Sequence, residues 1–250
     1  MLTLEVMKWL YYFFILLWRI WFYLLWLVTI LAALPILIII ISKEKWYPIF
    51  FKIAKYWAKT ILFLMGFKPV ITYEEKMDTK KSYVFCPNHT SIVDILLMLV
   101  LSDNPFVFLG KKELSKIPVF GYIYRKTCIM VDRENKTNKN SAFTEAQRRL
   151  ANGLSVCIFP EGKVPDDESI ILDNFKSGAF RLSEEFNIPI VPITFFDCKK
   201  RFSYTFFSGG PGVLRTKINS FIQPTGKTIE ELQQETFTVI FKSLKDDLMV

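Results

Sequence analysis

The amino-acid sequence predicts an α/β fold with a mixed central sheet flanked by helices, preceded by an N-terminal helical segment that anchors the chain to a membrane. After Lys68, short apolar runs alternate with longer amphipathic runs, which is the pattern of strands separated by helices. Before that point the chain is mostly apolar, and all six tryptophans lie at or before Trp57. We therefore divide the chain into an anchor, residues 1–66, and a sheet-containing domain, residues 67–250.

The anchor begins with an apolar run in which Arg19 is the only charged residue between Trp9 and Ser42. This run exceeds the roughly 20 residues that a helix needs to cross a bilayer core. A cleaved signal peptide would need a shorter apolar core, and the small residues Ala32 and Ala33 come too late for that pattern. The run therefore predicts a membrane helix, either transmembrane or monotopic.

A second apolar stretch, residues 47–66, carries Lys52, Lys55 and Lys59 at helical spacing among aromatic and aliphatic residues. This pattern favours a helix in the membrane interface whose lysines reach lipid headgroups. The alternative is an ordinary amphipathic helix packed on the domain.

The elements of the domain follow from its periodicity, and ligand sites in such sheets lie at strand ends, where loops converge. Strands are expected at residues 69–73, 83–86, 105–109, 128–131, 155–159 and 190–195. Helices are expected at residues 91–101, 140–152, 177–187 and 228–249. Because proline lacks a ladder donor, Pro189 and Pro192 predict that the strand at 190–195 lies at a sheet edge or carries a bulge.

Charge and cysteine content limit the classes of ligand and partner that the chain is expected to bind. The 32 lysines and arginines exceed the 24 acidic residues, and the net charge of +8 suits anionic lipid headgroups, an acidic cofactor or nucleic acid. Nucleic-acid binding is not expected, because the tryptophans lie in the anchor and not in the domain. The four cysteines form no C-x-x-C pair, which indicates a reduced cytoplasmic domain without a metal site. They are Cys86, Cys128, Cys157 and Cys198.

The stretch "CPNHTSIVD", residues 86–94, contains His89, the only histidine of the chain. A strand ends here and a helix begins, with Thr90 or Ser91 as its expected N-cap. Asp94 can fold back from the first turns of the helix and orient the imidazole, as a general base for a hydroxyl requires. The alternative is a structural histidine that makes ordinary hydrogen bonds.

Two further stretches carry candidate ligand-binding residues. In "LGKKELSKIPVFGYIYRKTCIMVDR", residues 109–133, Lys111 and Arg133 would bind a phosphate at strand ends, unless they are simply solvated. In "VCIFPEGKVPDD", residues 156–167, Glu161 follows a buried strand, and Gly162 permits a turn or the close approach of a ligand. A plain strand-ending turn would look similar.

In order along the chain, "NHTSIVD", "GKKEL…IPVFG…VDR", "FPEG" and "IPIVPI" resemble the four sequence blocks of the glycerolipid acyltransferases, in particular the bacterial lysophosphatidic acid acyltransferases. The resemblance covers about residues 67–225, and the N-terminal apolar segments also suit the family. It implies a glycerol-3-phosphate acyltransferase-like fold for residues 67–250 as the catalytic domain. It also implies transfer of a fatty acyl group from coenzyme A or acyl carrier protein to the hydroxyl of lysophosphatidic acid, giving phosphatidic acid for phospholipid biosynthesis.

The resemblance also implies roles for the site residues. His89 would take the hydroxyl proton and Asp94 would orient it, while backbone amides near Thr90 and Ser91 could stabilise the oxyanion. Glu161 would help to shape the acceptor site. No metal, cofactor or covalent enzyme intermediate is required.

By the same resemblance, Gly162 also shapes the acceptor site, and Lys111 and Arg133 bind phosphate. One departure affects the acceptor. The family commonly has threonine and arginine after the glycine of its third block, whereas this chain has Lys163 and Val164. Lysine is a flexible point charge and replaces the arginine fork imperfectly, so another lysolipid acceptor, including a lyso-aminolipid, stays open.

Two further expectations concern reaction class and location. A membrane-bound lipid hydrolase could use Ser91 as its nucleophile, but the chain has no G-x-S-x-G elbow. Lysines after residue 42 outnumber those before residue 20, and this places the catalytic domain on the cytoplasmic side of the cell inner membrane. The expected partners are membrane lipids, the lysophospholipid and the acyl donor.

Overall fold

The computed structural model describes residues 2–131, 136–165, 167 and 169–249. It confirms the α/β fold, with helices on both sides of a central sheet. The helices are α1 (Leu2–Ile41), α2 (Tyr47–Leu64), α3 (Val93–Leu101), α4 (Phe120–Thr127), α5 (Lys136–Ala151), α6 (Gly178–Phe186), α7 (Cys198–Arg201) and α8 (Ile229–Leu248). The strands are β1 (Phe67–Tyr73), β2 (Val84–Pro87), β3 (Phe106–Lys111), β4 (Ile129–Val131), β5 (Ser155–Cys157), β6 (Ile190–Phe195) and β7 (Gly212–Ile218).

Among the described residues, seven strands form one sheet in the order β1-β7-β6-β2-β5-β3-β4. All neighbouring pairs are parallel except β6 and β7, which confirms a mixed sheet. Strands β2, β3, β4, β5 and β6 therefore run in the same direction, and their carboxyl ends meet at one edge. This edge holds the residues that follow β2, β3 and β5.

The prediction that residues 190–195 form an edge strand is wrong, because β6 lies between β2 and β7. The alternative, a bulge, fits the pairing: Ile193 pairs with Ile218 and Ile190 with Ile222, so residues 191 and 192 lie opposite three residues, 219–221. The carbonyl of Pro192 faces the β7 side, where it accepts from the backbone N–H of Asn219 at 3.0 Å. The ladder pairing of β6 with β7 ends at Ile193 and Ile218 and resumes, shifted by one residue, at Ile190 and Ile222. Pro192, which lacks a ladder donor, lies at this irregularity of the pairing.

Strand β7 and helices α4 and α7 were not predicted. β7 alternates buried Leu214, Thr216 and Ile218 with more exposed residues between them. On the exposed face, the guanidinium of Arg215 pairs with the carboxylate of Asp197 at 2.7 Å. The alternation signals a strand with one solvated face, while its charged residues lower the mean hydropathy of the segment.

Helix α1 presents mostly apolar side chains to the outside. In the part of the chain that the structure describes, one helix, Leu4–Ile41, is long and apolar enough to cross a membrane by length and composition. A smaller set of its residues is buried against the rest of the protein. These are Ile15, Arg19, Phe22, Leu25 and Leu37.

Helix α2 packs one face on the domain, and Tyr47 at its start donates its hydroxyl hydrogen bond to the carbonyl of Phe106 at 2.8 Å. Lys52 and Lys59 are exposed, as expected for an interfacial helix. Lys55 was expected to reach headgroups, but it contacts Asp103 at 2.5 Å instead. Residues of α1 and α2 belong to the same apolar core as the sheet, so the core is continuous across residue 67.

Candidate active site

The turn after β2 is fixed to the neighbouring strand by Asn88. Its side-chain oxygen accepts from the backbone N–H of Phe195 at 2.7 Å, and its amide nitrogen donates to the carbonyl of the same residue at 3.1 Å. Asn88 is buried, so this two-way contact also satisfies a polar group that would otherwise be costly. It holds the next residue, His89, at the carboxyl edge of the sheet.

His89 and Asp94 form a pair, with 3.0 Å between Nδ1 and Oδ2. The aspartate side chain is fully buried, whereas 19% of the histidine side chain is exposed. The imidazole also stacks on Phe159 at a centroid distance of 4.0 Å. An ionised carboxylate is an acceptor only, so it places the proton on Nδ1 and leaves Nε2 with the lone pair that a general base needs.

The same oxygen of Asp94 also accepts from the backbone N–H groups of Thr90 at 2.6 Å and Ser91 at 2.8 Å. Both amides are thus bound, and the expectation that they stabilise an oxyanion is wrong. Ile92 occupies the N-cap position, and the hydroxyl of Ser91 accepts from the backbone N–H of Val93 at 3.2 Å, as the expected capping hydroxyl would. Asp94 captures the amides of Thr90 and Ser91, which precede the helix.

Glu161 is buried and bridges two backbone segments. One carboxylate oxygen accepts from the N–H of His89 at 2.7 Å, and the other accepts from the N–H of Asp173 at 2.9 Å. Burial raises the pKa of Glu161 to about 7, against the opposing effect of the two amide hydrogen bonds. Glu161 therefore positions the backbone of the site, and it does not line the cavity described next.

A cavity of about 1110 Å³ opens at this edge of the sheet. It brings together four of the predicted site residues, His89, Lys111, Gly162 and Lys163. Most of the remaining wall is apolar and comes from α1, α2, α4 and the segment before α4. The base thus faces a space that combines cationic side chains at one part of its wall with an extensive apolar surface.

Gly162 and Lys163 lie in the loop after β5. Gly162 has φ of +80°, and a Cβ atom there would lie 2.7 Å from the amine of Lys176, so a side chain would be strained and crowded. Lys163 and Lys111 are exposed at the cavity wall. Arg133, predicted to bind phosphate, lies outside the described residues.

Comparison with known proteins decides the family. The acyltransferase family model matches residues 68–196, which is just over half of the chain and contains the His89 turn, Lys111, Glu161 and Lys163. The chain belongs to the acyltransferase family. The resemblance to glycerolipid acyltransferases is thereby confirmed.

Individual members of the acyltransferase family are similar at low identity. A Mycoplasma pneumoniae protein named "Probable 1-acyl-sn-glycerol-3-phosphate acyltransferase" is 29% identical over 67% of this chain and 69% of its own length. A Rhizobium meliloti protein named "Lyso-ornithine lipid O-acyltransferase" is 26% identical over 52% of this chain and 42% of its own length. The chain thus spans less than half of that second relative.

A solved structure of this family shows the same fold. It is the crystal structure of the 1-acyl-sn-glycerophosphate acyltransferase PlsC from Thermotoga maritima, with a TM-score of 0.78, 21% identity and coverage of 96% of this chain and 97% of that chain. The fold agreement includes the N-terminal helices, because the coverage extends over nearly all residues. With the long apolar α1 and these lipid-enzyme relatives, the protein is a membrane-associated acyltransferase.

The alternative of a lipid hydrolase that uses Ser91 as its nucleophile does not fit the structure. Ser91 is fully buried, and its hydroxyl donates to the carbonyl of Phe202 at 2.6 Å. It also accepts from the backbone N–H of Val93 at 3.2 Å. A hydroxyl held in this way does not line the cavity and makes no hydrogen bond with His89 that would activate it.

Several residues of this acyltransferase site were not singled out from the sequence. Asn88 fixes the turn, Phe159 supports the imidazole, and Lys199 of α7 lines the cavity. Asn88 directly precedes His89, and Phe159 directly precedes Pro160. Both therefore lie inside sequence motifs noted above and could have been identified as site residues from the sequence. Lys199 belongs to a basic run after β6, and only the return of the chain to the sheet edge brings it to the site.

Proposed function

We propose that this enzyme transfers a fatty acyl group from an acyl thioester, carried by coenzyme A or acyl carrier protein, to the free hydroxyl of lysophosphatidic acid, forming phosphatidic acid in phospholipid biosynthesis. One observation carries the proposal. The ring of His89, paired through Nδ1 with the buried Asp94, lies at a cavity that is mostly apolar and also lined by Lys111 and Lys163. An apolar wall suits acyl chains, and the lysines suit a phosphate.

In the proposed reaction, Nε2 of His89 takes the proton of the acceptor hydroxyl while the hydroxyl oxygen bonds to the thioester carbonyl carbon. Asp94 stabilises the imidazolium that forms. The tetrahedral intermediate then breaks its C–S bond, and the departing thiolate takes the proton from His89. The products are the ester and a free thiol, and no cofactor takes part beyond the acyl donor.

The acceptor phosphate would be bound by Lys111, Lys163 and Arg133, with Gly162 allowing its close approach. Glu161 would act through the backbone of His89 and Asp173, which it holds in place. Lys163 would take over part of the contact that the family's arginine makes. A lyso-aminolipid acceptor is the second candidate, because a relative carries the name "Lyso-ornithine lipid O-acyltransferase". In addition, lysine lacks the planar set of donors with which arginine binds a phosphate.

We also propose that residues 1–66 anchor the enzyme in the cell inner membrane and that residues 67–250 form the catalytic domain on its cytoplasmic side. The excess of lysines after residue 42 supports this orientation. Protease treatment of sealed inner-membrane vesicles with the cytoplasmic face outside should cleave the domain. Protection in these vesicles, with cleavage after detergent is added, would reverse the orientation.

The function is tested by measuring thiol release from a long-chain acyl-coenzyme A by purified enzyme in detergent, with lysophosphatidic acid present or omitted. We expect release that needs the acceptor, and a loss of roughly 1,000-fold in His89→Ala, because general base catalysis contributes 100- to 10,000-fold. Acyl carrier protein as donor and lyso-ornithine lipid as acceptor form parallel arms. Free fatty acid in place of a new ester would show a hydrolase, and full activity of His89→Ala would overturn the role of the histidine.

A further inference from the structure

The apolar helix α1 carries one cation in its middle, and this cation is not directed to solvent. Only 3% of Arg19 is exposed. Its Nη2 atom lies 2.9 Å from the backbone carbonyl oxygens of Ser203, Thr205 and Ser208, so one of its two N–H groups is shared between two acceptors. We call residues 202–208 the carbonyl loop. Burial of a charge is costly unless it is paired or hydrogen-bonded, and here three carbonyl dipoles supply that compensation.

Aromatic contacts bind the same loop to α1. The guanidinium of Arg19 lies 4.7 Å from the ring centroid of Phe202 and 5.4 Å from that of Phe206. The ring of Phe202 also contacts those of Trp18 at 5.4 Å and Phe22 at 4.5 Å. Two successive turns of α1, which carry Trp18, Arg19 and Phe22, therefore face the carbonyl loop.

The carbonyl loop reaches the catalytic pair through Ser91. The carbonyl of Phe202 accepts from the hydroxyl of Ser91, whose backbone N–H donates to Asp94. The backbone N–H of Phe202 also donates to the carbonyl of Cys198 at 2.8 Å, which joins the start of the loop to α7. A loop held by α1 thus supports the carboxylate that orients His89.

Residues of the loop also form part of the cavity wall. Ser203 and Tyr204 line the cavity together with His89. Displacing the loop would therefore open the wall next to the base as well as release Ser91. The wall and the support of Asp94 depend on the same few contacts with α1.

We propose that Arg19 is a positioning residue for catalysis, which holds the carbonyl loop against Ser91 and α7 and thereby keeps Asp94 aligned with His89. The membrane helix is then part of the catalytic apparatus as well as an anchor. This inference rests on the proposed function for its activity readout. A second readout, thiol labelling, does not depend on the substrate.

The activity test compares three substitutions at Arg19 with a control on the same helix. Since one nitrogen makes all three contacts, the ammonium of Arg19→Lys, with three N–H donors, should keep kcat within about threefold. Arg19→Met should lower kcat by about 30-fold and change KM for either substrate by less than about threefold, because it acts on alignment and not on binding. Arg19→Gln should fall between them. Lys8→Met removes an exposed cation of α1 and should leave kcat unchanged.

The labelling test uses a maleimide reagent and locates the modified cysteine by mass spectrometry. Cys198 is fully buried at the start of α7, and its carbonyl accepts from the backbone N–H of Phe202 in the loop. Cys86 and Cys157 are fully buried in the sheet and serve as internal controls. Arg19→Met should raise the rate at Cys198 by about tenfold, with the two controls unchanged, since local opening exposes only the residues beneath it. Arg19→Lys should label like the wild type.

Each result decides the proposal. Unchanged kcat together with an unchanged rate at Cys198 in Arg19→Met would overturn it. Equal acceleration at Cys198, Cys86 and Cys157 in both Arg19→Met and Arg19→Gln would also overturn it, because Arg19 would then support folding in general. If the wild type shows no acyl transfer but Cys198 is exposed selectively, the proposed function fails, while the coupling of α1 to the loop stands.

Discussion

The turn after β2 and the loop after β5 lie side by side at the sheet edge, yet they are held differently. In the turn, the backbone N–H groups of residues 89, 90 and 91 all donate to buried carboxylates. In the loop, Lys163 is exposed. The two ends of the loop are joined by one backbone hydrogen bond, in which the N–H of Lys176 donates to the carbonyl of Pro160 at 2.8 Å.

The difference separates two tasks of the enzyme. Proton transfer needs a base held at one geometry, and the turn fixes it through contacts that the chain makes with itself. Acceptor recognition needs side chains that reach a ligand, and in the proposed function the exposed loop would supply Lys163 for this contact. We therefore expect changes in the turn to lower kcat, and changes in the loop to alter KM for the acceptor.

The largest effect is expected from Asp94→Asn, which keeps the shape of the side chain but removes its charge. A neutral amide does not stabilise the imidazolium of His89, so kcat should fall by at least about 100-fold. Steady-state kinetics with acyl-coenzyme A and lysophosphatidic acid measure the change, and circular dichroism checks folding. A loss below threefold would break the comparison, because the turn would then not be the region that fixes the base.

Glu161→Gln tests the residue that joins the two regions. Glutamine offers one oxygen acceptor where the carboxylate offers two, and its NH₂ group would face a backbone N–H. We expect kcat to fall by about tenfold as one of the two contacts is lost. Glu184→Gln, an exposed glutamate of α6, is the matched control. Equal activities of the two variants would show that the bridge is not needed.

The raised pKa of Glu161 predicts a stability effect with a definite sign. The folded-state pKa of about 7 exceeds the ordinary value of 4.5, so the folded protein binds the proton more tightly than the unfolded chain does. This contribution to stability is full below about pH 4.5 and is lost as pH rises to about 7.

The Tm of the wild type, relative to that of Glu161→Gln, should therefore decrease by a few degrees between pH 5 and pH 8. Thermal unfolding of both proteins in the same detergent provides the measurement. A relative Tm that rises over this range would contradict the burial-driven shift and would indicate that the amide contacts dominate.

The smallest effect is expected in the loop. Lys163→Ala should raise KM for lysophosphatidic acid about fivefold and leave kcat and KM for the donor nearly unchanged, as loss of a surface-exposed charge contact implies. Lys80→Ala, which removes an exposed cation in the turn between β1 and β2, is the control. A drop in kcat without a change in KM would erase the distinction between turn and loop.

The turn after β2 could be predicted from the sequence better than its surroundings. The pairing of His89 with Asp94 could be predicted because five positions along a strand-to-helix turn leave few geometries for the two side chains. The oxyanion expectation failed because it treated helix-start amides as unpaired, whereas the same carboxylate occupies them. A local pattern shows which groups are near one another, but not which acceptor takes each donor.

Long-range arrangement was harder to predict. The central place of β6 depends on its pairing with both β2 and β7, and Pro192 alone does not distinguish a bulge from a sheet edge. Likewise, Arg19 appeared as a lone charge in an apolar run, and its partners lie more than 180 residues away. Contacts between segments so distant follow from the topology and not from periodicity.

The distance between Arg19 and its carbonyls has a consequence for biosynthesis. Arg19 leaves the ribosome 184 residues before Ser203, so helix α1 meets the membrane while the carbonyl loop has yet to be made. During this interval the guanidinium must be solvated by water or lipid phosphate, as an arginine on an isolated membrane helix can achieve by extending its side chain to the interface. Docking of Arg19 is therefore a late step of folding, because it follows synthesis of the carbonyl loop.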